Sequence, residues 1–244
     1  MSDKRIIKLN KNPAVFADNA EEIDLTKLES TQPVEYNHSY YENEVLGLRI
    51  GVCSRIGITE TAASYTSDEF MVIIEGATQI KNNQTGEVDN ITAGQSVVIP
   101  WGDDYQFSED GYLRKFYVIY KAQEKVKNSV INNIVYVDEN SDTPWKETSD
   151  GHRKKVLYQS NDQCFTSGVW QSKTLTTGLI NFPYHEFIYI NRGNLICTDE
   201  MGVTHHFKKG DALFIPQGTQ CAWQVKNKVS IHFTQIKQIS NLHV

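Results

Sequence analysis

The stretch Glu186–Gly193, EFIYINRG, decides how the chain folds, because it occurs twice. Glu69–Gly76 reads EFMVIIEG, 117 residues earlier, with the glutamate, the phenylalanine and the closing glycine in the same places. The likeness runs on in both directions. Upstream at the same offset, GVCS from Gly51 matches GVWQ from Gly168, and Tyr41 matches Tyr158. Downstream, AGQSVVIPWGDDY (Ala93–Tyr105) matches KGDALFIPQGTQC (Lys209–Cys221) at an offset of 116. Several features in one order at a nearly constant spacing mark a repeated unit. The chain, at 244 residues, is long enough for two small domains.

Each copy reads as strands. LGLRIGVCSRI alternates apolar and polar residues, with Leu46, Leu48, Ile50 and Val52 on the apolar side. FMVIIEG, SVVIP, KFYVIYK, LFIP and VSIHFTQI are short and rich in Val, Ile, Phe and Tyr. NNQTGEVDN and TDEMGVTHH carry Gly86 and Gly202 and predict hairpin turns. No long segment has a helical period; NAEEIDLTKLES, Asn19–Ser30, predicts at most one short, weakly capped helix. Many short strands between Gly/Pro turns predict an all-β fold of the sandwich or barrel kind. The expected division is residues 1–122, a barrel with an N-terminal arm, and residues 123–244, a barrel with the connecting segment. In that connector NIVYV predicts a strand, and the polar run after it is expected to wrap the second barrel.

Composition narrows the partners. Apolar residues make up 39% and charged residues 22%, enough for a packed core, and the net charge is −6. HRKK is the one basic run and reads as a solvated turn, so no nucleic-acid partner is expected. The N-terminus has no apolar leader, and no stretch approaches the ~18 apolar residues of a membrane span, so no membrane partner is expected. Cys53, Cys164, Cys197 and Cys221 form no CxxC pair and no framework spacing. A reduced, cytoplasmic protein is the expectation, with a homodimer left open as its assembly.

Two spacings now carry a resemblance. Glu69-x6-Gly76 is followed by Gly94-x5-Pro100-x-Gly102-x2-Tyr105, and Glu186-x6-Gly193 by Gly210-x5-Pro216-x-Gly218-x2-Cys221. This resembles the paired motifs of the cupins, and the whole chain resembles a bicupin, two tandem jelly-roll barrels related by internal duplication. SDEFMVIIEG and YHEFIYINRG are most similar to the ureidoglycine aminohydrolase and ethanolamine-utilisation branch. The resemblance implies a small amine- or ureide-like metabolite as ligand. It also implies metal ligands, His-x-His-x3–4-Glu with a later His. On this chain the two His positions fall on Ala62 and Ser64 or on Ala63 and Tyr65, and the later one on Tyr105. In the second copy they fall on Leu179 and Asn181 or on Ile180 and Phe182, and on Cys221. The aminohydrolase quartet of the second barrel falls on Ile180, Phe182, Glu186 and Cys221. Only the glutamates remain, so neither a metal nor another cofactor is expected.

Two inward carboxylates are left. Each must be paired, wetted or protonated with a raised pKa. The candidate ligand-binding residues are Glu186, Cys221, Trp223, His232 and Tyr184 in the second copy and Glu69 and Tyr105 in the first. Tyr65, Arg114 and Lys115 are further partners for Glu69. The second barrel is the expected ligand site, because Cys221 leaves room where Tyr105 fills the first, Trp223 stands for Phe107, and His232 for Phe116. Three readings follow: a metal-free binder of a small metabolite, with or without catalysis by a raised-pKa glutamate; a metalloenzyme with rearranged ligands drawn from Glu186, Cys221 and His232; or a degenerate interaction module. His185 lies beside Glu186 on the opposite strand face and is expected at a surface or interface.

Overall fold

The computed structural model describes residues 4–14, 34–122, 133–148 and 151–237. It is an all-β jelly roll with no α-helix among the described residues. The segment expected to form a short helix, Asn19–Ser30, lies outside them. The chain divides into two compact units, Asn10–Tyr136, and Met1–Leu9 with Val137–Val244.

The strands are β1 (Ile7–Leu9), β2 (Val34–Asn43), β3 (Leu48–Ile56), β4 (Ala63–Ser64), β5 (Asp68–Asn82), β6 (Val88–Thr92) and β7 (Ser96–Ile99). They continue as β8 (Asp104–Ser108), β9 (Tyr112–Tyr120), β10 (Val135–Tyr136), β11 (Lys146–Glu147), β12 (Arg153–Gln159), β13 (Phe165–Ser172) and β14 (Leu175–Thr176). The last are β15 (Ile180–Asn181), β16 (His185–Arg192), β17 (Asn194–Asp199), β18 (Thr204–Lys208), β19 (Ala212–Ile215), β20 (Gln220–Val225) and β21 (Val229–Ile236).

The main sheet of the first unit runs β10-β7-β5-β9-β3-β2, and that of the second β1-β19-β16-β21-β13-β12-β11. Register repeats with order. Glu69 faces Ile99 on β7 and Ile119 on β9. Glu186 faces Ile215 on β19 and Gln235 on β21. A one-residue slip would turn every side chain to the other face, so equal registers put the two glutamates in equivalent places.

The motif glycines mark where the chain changes sheets. Gly76 has φ +77°, and a Cβ there would lie 1.7 Å from the Tyr112 carbonyl oxygen. Beyond it β5 leaves β9 and pairs with β6 and β8. Gly193 does the same between β16 and β17, with φ +81° and the Lys228 carbonyl oxygen 2.2 Å from a Cβ. Only glycine tolerates both the positive φ and the close approach. Gly86 and Gly202 take φ +79° and +81° in the two expected turns.

The units do not divide at 122/123. NIVYV does form a strand, β10, but it extends the first unit by pairing with β7. The N-terminal arm belongs to the second unit, where β1 pairs with β19 and buries Ile6 and Leu9. The cause is edge pairing: β7 and β19 each need a partner on their open side. The polar run after β10 is held within the second unit, where Lys155 Nζ donates to the carbonyls of Glu139 at 2.9 Å and Ser141 at 2.6 Å.

Candidate functional site

Alternation selects the site. Glu69, Met71 and Ile73 of β5 share a face with Ile119, Tyr117 and Lys115 of β9, and this face continues through Arg49, Gly51, Cys53 and Arg55 of β3 to Glu35 and Asn37 of β2. It bounds a cavity of about 170 Å³ in the first unit.

At its centre is a buried ion pair. Lys115 Nζ lies 2.8 Å from Glu69 Oε1, and the two residues are 6% and 3% exposed. Tyr65 donates its hydroxyl to Glu69 Oε2. Lys115 also meets Met71 Sδ at 3.7 Å and lies over the Phe107 ring. Burial alone would push the Glu69 carboxyl up, but the Lys115 ammonium and the Tyr65 hydroxyl hold it below its usual value. Burial would likewise lower Lys115, and Glu69 outweighs it and raises it. Burial and the Glu69 charge raise Tyr65. At neutral pH this is a carboxylate, an ammonium and a neutral phenol, fixed in charge.

A second cluster adjoins it. Arg55 meets Glu35 at 3.1 Å, Glu60 at 2.7 Å and Glu109 at 3.6 Å. Asn37 Nδ2 donates to Glu35 at 2.7 Å. Burial pushes the Cys53 thiol up to about 12, so it is a neutral donor toward Glu35, 3.7 Å away.

Tyr105 belongs to the core of this barrel and does not line the cavity. It packs edge-on against Tyr65, ring centroids 6.2 Å apart, and its hydroxyl donates to Asp103 at 3.4 Å. Turned that way into the core, it leaves the space beside Glu69 open.

In the second unit the face of Glu186 is more apolar. Ile188, Ile190, Ile231, Cys221 and Trp223 belong to one core cluster. Trp223 meets Trp170 and Phe182 at centroid distances of 5.7 and 5.6 Å. Lys154 Nζ donates to Gln235 Oε1 at 2.9 Å and lies 4.2 Å from the centre of the Phe233 ring. Burial pushes the Glu186 carboxyl up to about 7, with Lys154 and Gln235 pulling it back. Cys221 is fully buried, and its thiol is hydrogen-bonded to that of Cys197, which lowers the first and raises the second. Tyr184 precedes β16, its ring under Lys237 Nζ at 5.3 Å.

Two histidines point away from the face of Glu186. His232 faces Tyr189 and Val169, and Tyr189 is three residues from Glu186, so His232 points to the other side of the sheet. It therefore cannot join Glu186 and Cys221 around one ion. Burial pushes its pKa down to about 4. His185 is buried, stacked on Phe214, with Nδ1 accepting the Gln217 N–H at 3.2 Å; burial lowers it to about 4 as well.

Residues 159–233 match the family model of the EutQ-like cupin domain. Among solved structures, the chain is similar to a protein of unknown function from Pseudomonas syringae pv. tomato, with TM-score 0.76 and 16% identity over 96% of this chain and 100% of that one. Protein Ylba from E. coli aligns with TM-score 0.61 and 11% identity over 99% and 94%. A cupin 2 conserved barrel domain protein from Leptotrichia buccalis aligns with TM-score 0.59 and 12% identity over 92% and 100%.

The chain has the cupin fold. No curated protein sequence matches it. Cupins of the metal-binding pattern need several ligands beside the motif glutamate, and this barrel does not fit a metal ion. Both Glu69 oxygens are engaged, by an ammonium and a phenol. The other ligand positions hold Ala62 and Ser64, or Ala63 and Tyr65, together with Tyr105. Among the described residues no group of three or more His, Cys, Asp or Glu could hold a metal. Lys115 is the cation that pairs with Glu69 in this barrel.

Proposed function

We propose that this cupin binds a small polar metabolite in the first-unit cavity, around Glu69, Lys115 and Tyr65. The observation that carries the reading is the buried Glu69–Lys115 pair opening onto a cavity. A buried ion pair contributes little net stability, and hydrocarbon of the same shape serves a core as well or better. Its retention beside open volume suits recognition. A cavity of about 170 Å³ accommodates roughly six to eight non-hydrogen atoms, since an apolar cavity of about 150 Å³ holds benzene. The resemblance to the ureidoglycine and ethanolamine branch supports an amine- or ureide-like metabolite. The repeated registers support a bicupin arisen by duplication. The four buried free thiols support a reducing, cytoplasmic setting, and no helix among the described residues is long and apolar enough to cross a membrane.

The test is calorimetry of the full chain against a panel of polar metabolites of that size, repeated on the double variant Glu69→Met/Lys115→Met. Removing both charges leaves no orphaned ion, so the fold is expected to survive. Ligands bound by the wild type and lost in the variant support the site; ligands retained at full affinity contradict it.

A second reading has its own observation. Glu186, with its pKa near 7, is suited to general acid or base catalysis. It makes the second barrel catalytic, and it stands if a turnover is found that Glu186→Gln abolishes and the first-unit double variant spares.

A further inference from the structure

The charges lining the first-unit cavity are unevenly matched. Lys115, Arg55 and Arg49 face Glu69, Glu60 and Glu35. Lys115 holds Glu69, and Arg55 holds both Glu35 and Glu60. All three carboxylates are engaged. Arg49 is the lining cation that has no ion pair among the described residues.

Arg49 is also held in place. Its guanidinium lies over the Tyr117 ring, 5.4 Å from the centroid. Tyr117 reaches that position because Gly51 lacks a side chain: a Cβ there would lie 2.4 Å from the Tyr117 hydroxyl oxygen. That hydroxyl is 3.4 Å from Ser39 Oγ. A guanidinium lying on a ring keeps its in-plane N–H fork for a planar, bidentate acceptor.

The spacing suits a short ligand. Arg49 faces Ile119, and Ile119 faces Glu69. The two charged residues therefore start two strand spacings apart, about 10 Å. Their side chains both lean into the cavity, which leaves room for a few atoms between Arg49 and the Lys115–Glu69 pair.

Resting on the reading of this cavity as the ligand site, we infer that its ligand is a small carboxylic acid bound as the monoanion, with the carboxylate on Arg49. The uncharged polar end, a carbonyl or hydroxyl, meets the Lys115 ammonium, which has three donors and gives one to Glu69 and one, long, to Met71 Sδ. A free amine is disfavoured. Its ammonium would have to displace Lys115 or Arg55 from a carboxylate already held. Within the amine- and ureide-like class, the cavity selects members that carry an anion and no competing cation.

The experiment is calorimetry of the dialysed full chain with matched probes: glycolate against glycolamide, lactate against lactamide, and ethylammonium as the cation. The carboxylates are expected to bind at least tenfold more tightly than their amides. Arg49→Gln removes that preference, and Arg49→Lys restores part of it, because it keeps the charge and loses the fork. Arg49 is only part-buried, so both variants are expected to melt with the wild type. Amides binding as tightly as carboxylates, ethylammonium binding more tightly, an unchanged preference in Arg49→Gln, or no carboxylate binding at all would overturn the inference. An amide or ammonium bound by the wild type and lost in Glu69→Met/Lys115→Met would overturn the carboxylate assignment alone and leave the cavity standing. Failure of every class of probe would remove both.

Discussion

Lys115 and Glu69 are each costly to bury alone and tolerable together. Truncating one partner strands the other, at about 3–5 kcal/mol; removing both does not. Lys115→Met is therefore expected to lower stability in urea by that amount, while Glu69→Met/Lys115→Met recovers most of it. A single variant as stable as the wild type would mean that the pair is wetter than the geometry implies. Glu186 behaves in the opposite sense. Its folded pKa, about 7, lies above the unfolded value of 4.5. Between those values the folded state keeps a proton the unfolded state has released, so this group makes stability fall as pH rises through the window. The full effect is on the order of 3 kcal/mol. Glu186→Gln should gain that much on the wild type between pH 4 and pH 8, read as the difference of their unfolding free energies. A pH-independent difference would place Glu186 in water. Of the fates open to the carboxylates, Glu69 is paired with Lys115, while burial raises the Glu186 carboxyl to about 7. Which one fell to which glutamate was not legible, because it depends on Lys115 lying four residues along β9 from Ile119, the residue opposite Glu69, and so on the same face, a relation that only the register creates.

At the scale of strands, the edges of the two main sheets organise the chain. β7 and β19 are short, four residues each, and fully buried. Each is covered by a segment that precedes a barrel in the chain, β10 on β7 and β1 on β19. Deleting residues 1–9 would uncover β19 and remove Ile6 and Leu9 from their burial, a loss of about 3–6 kcal/mol for two aliphatic side chains. Amide exchange should then speed up along β19 and leave β7 protected; equal acceleration in both would contradict the assignment of the arm. The strand NIVYV was legible in its composition, but its place was not, because an edge strand two residues long is fixed by its partner. The polar row of β3 was hidden by a similar rule. Leu48, Ile50 and Val52 mark an apolar face, and the eye assigns the core to it. Those residues are indeed buried, yet Arg49, Cys53 and Arg55 on the other face line the cavity. Alternation identifies two faces and cannot say which one meets a ligand when both are covered.

For the whole molecule, the repeat in the sequence was enough for the fold, because Gly76 and Gly193, which close the first motif of each copy, stand where a Cβ would meet backbone. The site was less legible, because the motif positions point to metal ligands and the chain has exchanged them for an ammonium. Elemental analysis after mild purification is accordingly expected to find well under one transition metal per chain. One equivalent, lost in Glu186→Ala, would move the chemistry to the second unit. Whether the first-unit cavity receives the ligand is read from a crystal soaked with the small-metabolite panel. Density is expected among Lys115, Tyr65 and Arg49; density beside Glu186 and Trp223, with the first cavity holding only solvent, would place the ligand in the second unit instead.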